Sequence, residues 1–157
     1  MTVMETNYTW KTKFFSNKIE IFQYENPVGE LNNKAFTRSA AGTLNDKELL
    51  FDIRGFFRQE TRILDARDES VIAEVIISTW KSKAAIKYNN KEYTWQHENF
   101  WNTKWTISNE NGAVVKYHSF ASGGEMTAFT TDEVLILAGL FIKNYFRQRA
   151  ATVAAAT

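Results

Sequence analysis

Val134-Leu135-Ile136-Leu137-Ala138-Gly139-Leu140-Phe141-Ile142 is about two and a half helical turns without one polar side chain. A helix that is apolar on every face has to be enclosed. The run falls short of the about 20 apolar residues that span a bilayer, so the chain is not expected to be transmembrane. The enclosure therefore has to be protein. Upstream of it, nearly everything reads as short strands and tight turns.

Candidate strands lie at 8–15, 18–24, 35–39, 49–54, 56–64, 71–78, 84–88, 92–97, 105–108, 113–120 and 125–129, rich in β-branched and aromatic residues. Leu49, Phe51 and Ile53 alternate onto one face; Tyr93, Trp95 and His97 do the same. Pro27 sits in a turn-like stretch, Glu25-Asn26-Pro27-Val28-Gly29. Further turns are read at Asp65 to Ser70, Asn89-Asn90, Asn109-Glu110-Asn111-Gly112 and Ser122-Gly123-Gly124. From Phe56 onward the connections are too short for parallel crossovers, so neighbouring strands are antiparallel.

The helix carries its own punctuation. Thr130 and Glu133 fit a capping box, and Lys143, Arg147 and Arg149 lie toward the opposite end. From Thr131 to Arg149 it measures about 28 Å, against about 26 Å for an eight-residue strand. That match suits a helix threaded through a small barrel. An eight-stranded ligand carrier with a helix outside is the competing architecture, but residues 134–142 leave no face for water. The fold class is thus all-β: a closed antiparallel barrel of roughly 12 strands around a central hydrophobic C-terminal helix. Its core would include Leu135, Ile136, Leu137, Leu140, Phe141 and Ile142. Gly139 costs about 1 kcal/mol relative to alanine in a helix, which implies that a bulky aromatic of the wall, such as a tryptophan, presses there. One domain occupies 1–149, and a flexible tail is expected at 150–157.

The order of these elements resembles the tubby C-terminal-like superfamily, which includes LURP-one-related proteins and phospholipid scramblases. The residues carrying the resemblance begin with Phe56-Phe57-Arg58, Ile63-Leu64-Asp65, Val71-Ile72-Ala73 and Trp80-Lys81-Ser82-Lys83. They continue through Lys91-Glu92-Tyr93-Thr94-Trp95, Trp105-Thr106-Ile107 and Asn111-Gly112 to the apolar helix. The likeness spans about 13–149. It implies a barrel closed around the C-terminal helix and a peripheral lipid-binding or phosphoinositide-binding role. The tubby lysine and arginine pattern has no residue-by-residue match here, and the scramblases' proline-rich region and cysteine cluster are missing.

Composition narrows the function. Nineteen basic against 18 acidic residues give no broad attraction to nucleic acid, and none is expected as a partner. Cysteine is absent, which excludes disulfides and thiol chemistry. Residues 1–13 lack the apolar core of a secretory signal, so the expected location is cytoplasmic, with a peripheral place at the membrane. His97 and His118 fall on different strands, and the Asp65-Asp68-Glu69 cluster lacks the spacing of a calcium loop. No metal, no cofactor and no catalytic set is read, which argues against an enzyme.

The remaining chemistry is basic. Six lysines face three glutamates between Trp80 and His118. If Arg58, Arg62, Lys81 and Lys83 converge, they could hold the headgroup of an anionic phospholipid. The plainer alternative is a solvated sheet face of alternating sign, because Glu60 shares that face and Glu74 lies close by. A protein-interaction or scaffold domain with another protein as partner stands beside the lipid reading. The apolar helix yields a direct test. Its large side chains contribute about 1.5–3 kcal/mol each on burial, and together match a typical domain's net stability of about 5–15 kcal/mol. Truncation at Thr131 should abolish cooperative folding; a soluble product with a cooperative urea transition would contradict this.

Overall fold

Twelve antiparallel strands close into one barrel in a computed structural model of the chain, which describes residues 4–12, 18–33, 39–54 and 59–156. The strands are β1 (Thr6–Thr12), β2 (Lys18–Gln23), β3 (Asn26–Asn33), β4 (Ser39–Leu44), β5 (Lys47–Arg54) and β6 (Gln59–Asp65). They continue as β7 (Val71–Ser78), β8 (Lys83–Tyr88), β9 (Lys91–His97), β10 (Lys104–Asn109), β11 (Gly112–Phe120) and β12 (Gly123–Ala128). Each strand pairs with its neighbours in sequence. β1 pairs with β12 to close the ring, from Thr6 opposite Ala128 to Lys11 opposite Gly123. Closure removes both sheet edges.

Helix α1 (Glu133–Ala156) enters the barrel directly after β12. Val134 to Ala138 and Leu140 to Ile142 are each at most 2 % exposed, so the helix is enclosed on all sides. Alternation supplies the wall around it. Ile19, Ile21, Leu31, Phe51, Ile63, Val75, Ile86, Trp95, Trp105, Val115 and Tyr117 point inward. Phe51 stacks on Phe141, with ring centroids 4.5 Å apart.

On the other side of α1, wall and helix are joined by hydrogen bonds. Trp95 and Trp105 donate their indole N–H groups to the Gly139 carbonyl, at 3.1 and 3.2 Å. The Tyr117 hydroxyl donates to Ile136 O at 2.8 Å, with Leu135 O at 3.3 Å. A buried indole or phenol needs a partner, and a helical carbonyl offers a second lone pair. Tyr117 also explains the glycine: a Cβ at position 139 would fall on its hydroxyl and ring. The aromatic against the glycine is therefore a tyrosine, and the tryptophans hold the carbonyl beside it.

Several local expectations are corrected. Pro27 belongs to a strand: the turn is Tyr24-Glu25, both at positive φ (50° and 68°), and β3 starts at Asn26. The proline is tolerated because it lies beside a β-bulge. Phe22 opposes Pro27 while Ile21 opposes Gly29, leaving Val28 as the extra residue. β4 covers Ser39–Leu44; the strand expected at 35–39 falls mostly outside the described residues. Gly123 and Gly124 open β12 and form no turn, because a Cβ at either would meet Trp10. The helix cap lies two residues later than expected. The Asp132 carboxylate accepts Val134 N at 3.1 Å, while Thr130 accepts Asp132 N. The helix also continues past Arg149 to Ala156, in keeping with alanine's high helix propensity.

Gly139→Ala should lower stability by about 1–3 kcal/mol through overpacking, despite alanine's better propensity. Tyr117→Phe in the same chain should recover part of that loss. Urea denaturation of both single variants and the double variant measures the coupling, and a stabilised Gly139→Ala protein would refute it.

Candidate functional site

Hairpins in a closed meander turn alternately at its two ends. The entry end, where α1 goes in, holds the turns at 24–25, 45–46, 66–70, 89–90 and 110–111 and the link to the helix. The exit end, from which α1 leaves after Ile142, holds the turns at 79–82, 98–103 and 121–122. The ends differ in charge. Glu25, Asp46, Asp65, Asp68, Glu69 and Glu110 occupy entry turns or adjoining strand ends against Lys47, Arg67 and Lys91, with Asp132 and Glu133 at the helix start. Lys18, Arg54, Lys81, Lys83 and Lys104 occupy the corresponding exit positions against Glu98, and Lys143, Arg147 and Arg149 lie on the emerging helix.

The exit rim also carries aromatic tips. Trp80 is 95 % exposed, Phe100 89 %, Trp101 78 % and Phe120 56 %. Each described exit turn, counting its adjoining strand residue, therefore presents at least one. Met4, Tyr24 and Val71, the other large exposed apolar residues described, lie at the entry end. The tip at 98–103 is firmly built. Asn99 Oδ1 accepts Thr103 N and Lys104 N at 3.0 and 3.1 Å, and Asn99 Nδ2 donates to Thr103 Oγ1 at 2.6 Å. Asn102 takes a positive φ of 57°, and Phe100 and Trp101 meet edge to face at 5.4 Å.

Lys143 fastens this tip to the helix. Its Nζ lies 2.7 Å from Asn102 O and 3.0 Å from His97 Nε2, and sits 5.2 Å from the centre of the Trp105 ring. Desolvation, then the nearby Arg147 charge, lowers the Lys143 pKa to about 8. Desolvation, then the Lys143 charge, lowers the His97 pKa to about 4. With Nε2 accepting from the ammonium, the ring proton is assigned to Nδ1, which is buried without a hydrogen-bond partner. The adjoining cleft, lined by Trp10, Trp105, Ser119, Lys143, Asn144 and Arg147 among others, encloses about 10 Å³, room for about one water. It has no space for a substrate.

The four basic residues singled out from the sequence are placed differently. Lys81 lies in the turn beside Trp80, and Lys83 opens β8 opposite Ser78 and Gln96, so both belong to the exit rim. Arg62 lies on the outer wall between Asp52 and Glu74, in a row that continues through Lys87 to Glu92. It faces Glu74, four residues along β7 from Ser78, and lies two strands from β8, hence about 16 Å from Lys83. Arg58 lies outside the described residues.

His118, on β11 and two strands from His97 on β9, approaches Glu125 at 3.8 Å. Asp65 and Asp68 are taken up by turn hydrogen bonds to Arg67 and Ser70, which lower both carboxyl pKa values. Among the described residues no group of three His, Cys, Asp or Glu side chains could hold a metal, and no helix is long and apolar enough to cross a membrane. The sequence reading took Lys143 only as a charge toward the helix end. Its signal is position: one turn beyond Gly139, it follows the same helix face to the rim. No family model matches the chain, and no curated protein or solved structure matches it.

His97 fixes a pH signature. The unfolded ring binds its proton near pH 6.5 and the folded one near pH 4, so the unfolded state holds the extra proton between them. Stability should fall through that window as pH drops. Lys143 acts at the other extreme: its folded pKa of about 8 lies below 10.5, so stability should rise between those values as pH rises. In urea denaturation series, His97→Gln should lose the acid-side component and Lys143→Met the alkaline one. Profiles parallel to the parent protein would refute the assignment.

Proposed function

We propose that the chain is a non-enzymatic peripheral module that binds anionic phospholipid headgroups, of the tubby-like barrel type, at the cytoplasmic face of a membrane. The single observation that carries the reading is the separation of charge between the ends. Lysines and arginines gather with exposed tryptophan and phenylalanine around the exit end, while carboxylates predominate at the entry end. A molecule so polarised presents its basic end to a negative surface. The closed barrel around a helix supports the resemblance read from the sequence. The filled interior leaves the surface as the place for a ligand. The basic set moves accordingly: Lys81 and Lys83 stay in it, Lys104, Lys143 and Arg147 join it, and Arg62 stands in a row of alternating charge outside it.

Flotation with phosphatidylcholine vesicles, with and without phosphatidylserine or a phosphoinositide, tests this reading. Binding should require the anionic lipid and weaken as salt rises from about 0.05 to 0.5 M, where the screening length falls below about 5 Å. Lys81→Ala and Lys83→Ala should each cost about 1 kcal/mol of binding. Equal binding to neutral vesicles, or no binding, would overturn it.

A further inference from the structure

We infer that the barrel docks end-on, with Trp80, Phe100, Trp101 and Phe120 seated in the interfacial layer of an anionic bilayer. The inference rests on the lipid-binding reading above and adds which surface docks and how it is held. Turns 79–82, 98–103 and 121–122 are successive around the exit rim, two strands apart, which sets their tips about 10 Å from one another. Each bears an aromatic, and Lys81, Lys83 and Lys104 stand among them. A protein partner is met by a contiguous apolar patch with a polar rim. Separate aromatic tips interspersed with ammonium groups instead match the layer in which headgroup phosphates and the first acyl carbons alternate, where tryptophan concentrates.

The central tip is ordered before any partner arrives. The Asn99 hydrogen bonds and the Lys143 contact to Asn102 O already hold the Phe100-Trp101 tip, which reduces the entropy lost on docking. Charge orients the approach, because carboxylates at the entry end disfavour the inverted pose. The helix leaves by the docking end as well.

Tryptophan placement makes the inference measurable in the full chain. Trp10, Trp95 and Trp105 are at most 4 % exposed, so a change of emission on binding reports Trp80 and Trp101. With phosphatidylcholine–phosphatidylserine vesicles, emission should shift to the blue, and dibrominated acyl chains should quench it. Trp80→Phe with Trp101→Phe should still float yet show neither signal. Serine at all four tips should weaken vesicle binding at least tenfold at moderate salt, with the melting temperature unchanged. If the chain floats on anionic vesicles but its emission neither shifts nor is quenched, the outer wall docks and end-on insertion is wrong, while the lipid reading survives. If it does not float at all, the underlying reading fails and this inference with it.

Discussion

The hydrogen bonds from Trp95, Trp105 and Tyr117 to the backbone of α1 are the constraint on which the rest of the structure depends. A barrel this wide is filled only by a central helix with large aromatics around it, and two of the aromatic types carry a polar atom that must be satisfied. The enclosed run has no polar side chain to offer, so its carbonyls serve. That requires the rings to lie against the helix backbone, which only a residue without a Cβ permits; hence Gly139 faces Tyr117. On the opposite arc the wall comes close through small residues, where Gly42 is packed by Leu31, Phe51 and Leu137. Helix and strands are thus fitted to each other at specific atoms, beyond a general preference for burial.

That fit bears on how the two ends are read. The entry-end acids have structural work. Asp65 and Asp68 accept the backbone hydrogen bonds of their turn, and Asp132 caps α1. At the exit rim Arg54 pairs with Asp52 and Lys18 with Glu30, but the aromatic tips have no comparable account. Trp80 and Phe100 are almost fully exposed, and a polar residue at either position would serve a turn better. Among the described residues, the strongly exposed tryptophans and phenylalanines all lie at that end.

The sequence shows most of this fold because its strongest signals are local. An apolar run with no polar face has one outcome in a chain of this length, and the Asn89-Asn90 and Asn111-Gly112 turns follow from residues that accept positive φ. The misreadings share a cause: tertiary neighbours decided them. β3 holds a proline at its second position because a bulge accommodates it; the start of β4, Ser39-Ala40-Ala41-Gly42, has weak strand propensity because α1 needs the room. Gly123 and Gly124 resemble a turn until Trp10 is seen to lie across them. The candidate site was half legible. Lys81 and Lys83 are on the rim, but Arg62 is separated from them by register, which spacing along the sequence does not reveal.

Lys143 joins the two halves of the molecule. Trp105 donates its N–H to Gly139 and turns its ring face to the Lys143 ammonium one helical turn later, so the same indole belongs to the core and to the rim. Through Asn102 O, that ammonium fixes the loop bearing Phe100 and Trp101. The arrangement is costly. It desolvates an ammonium beside Arg147, and it leaves His97 Nδ1 buried without a partner. A leucine at 143 would suit a barrel whose only task was to fold. A charged residue held there at the expense of stability, with an exposed aromatic tip as what it positions, places the demand for order at the rim.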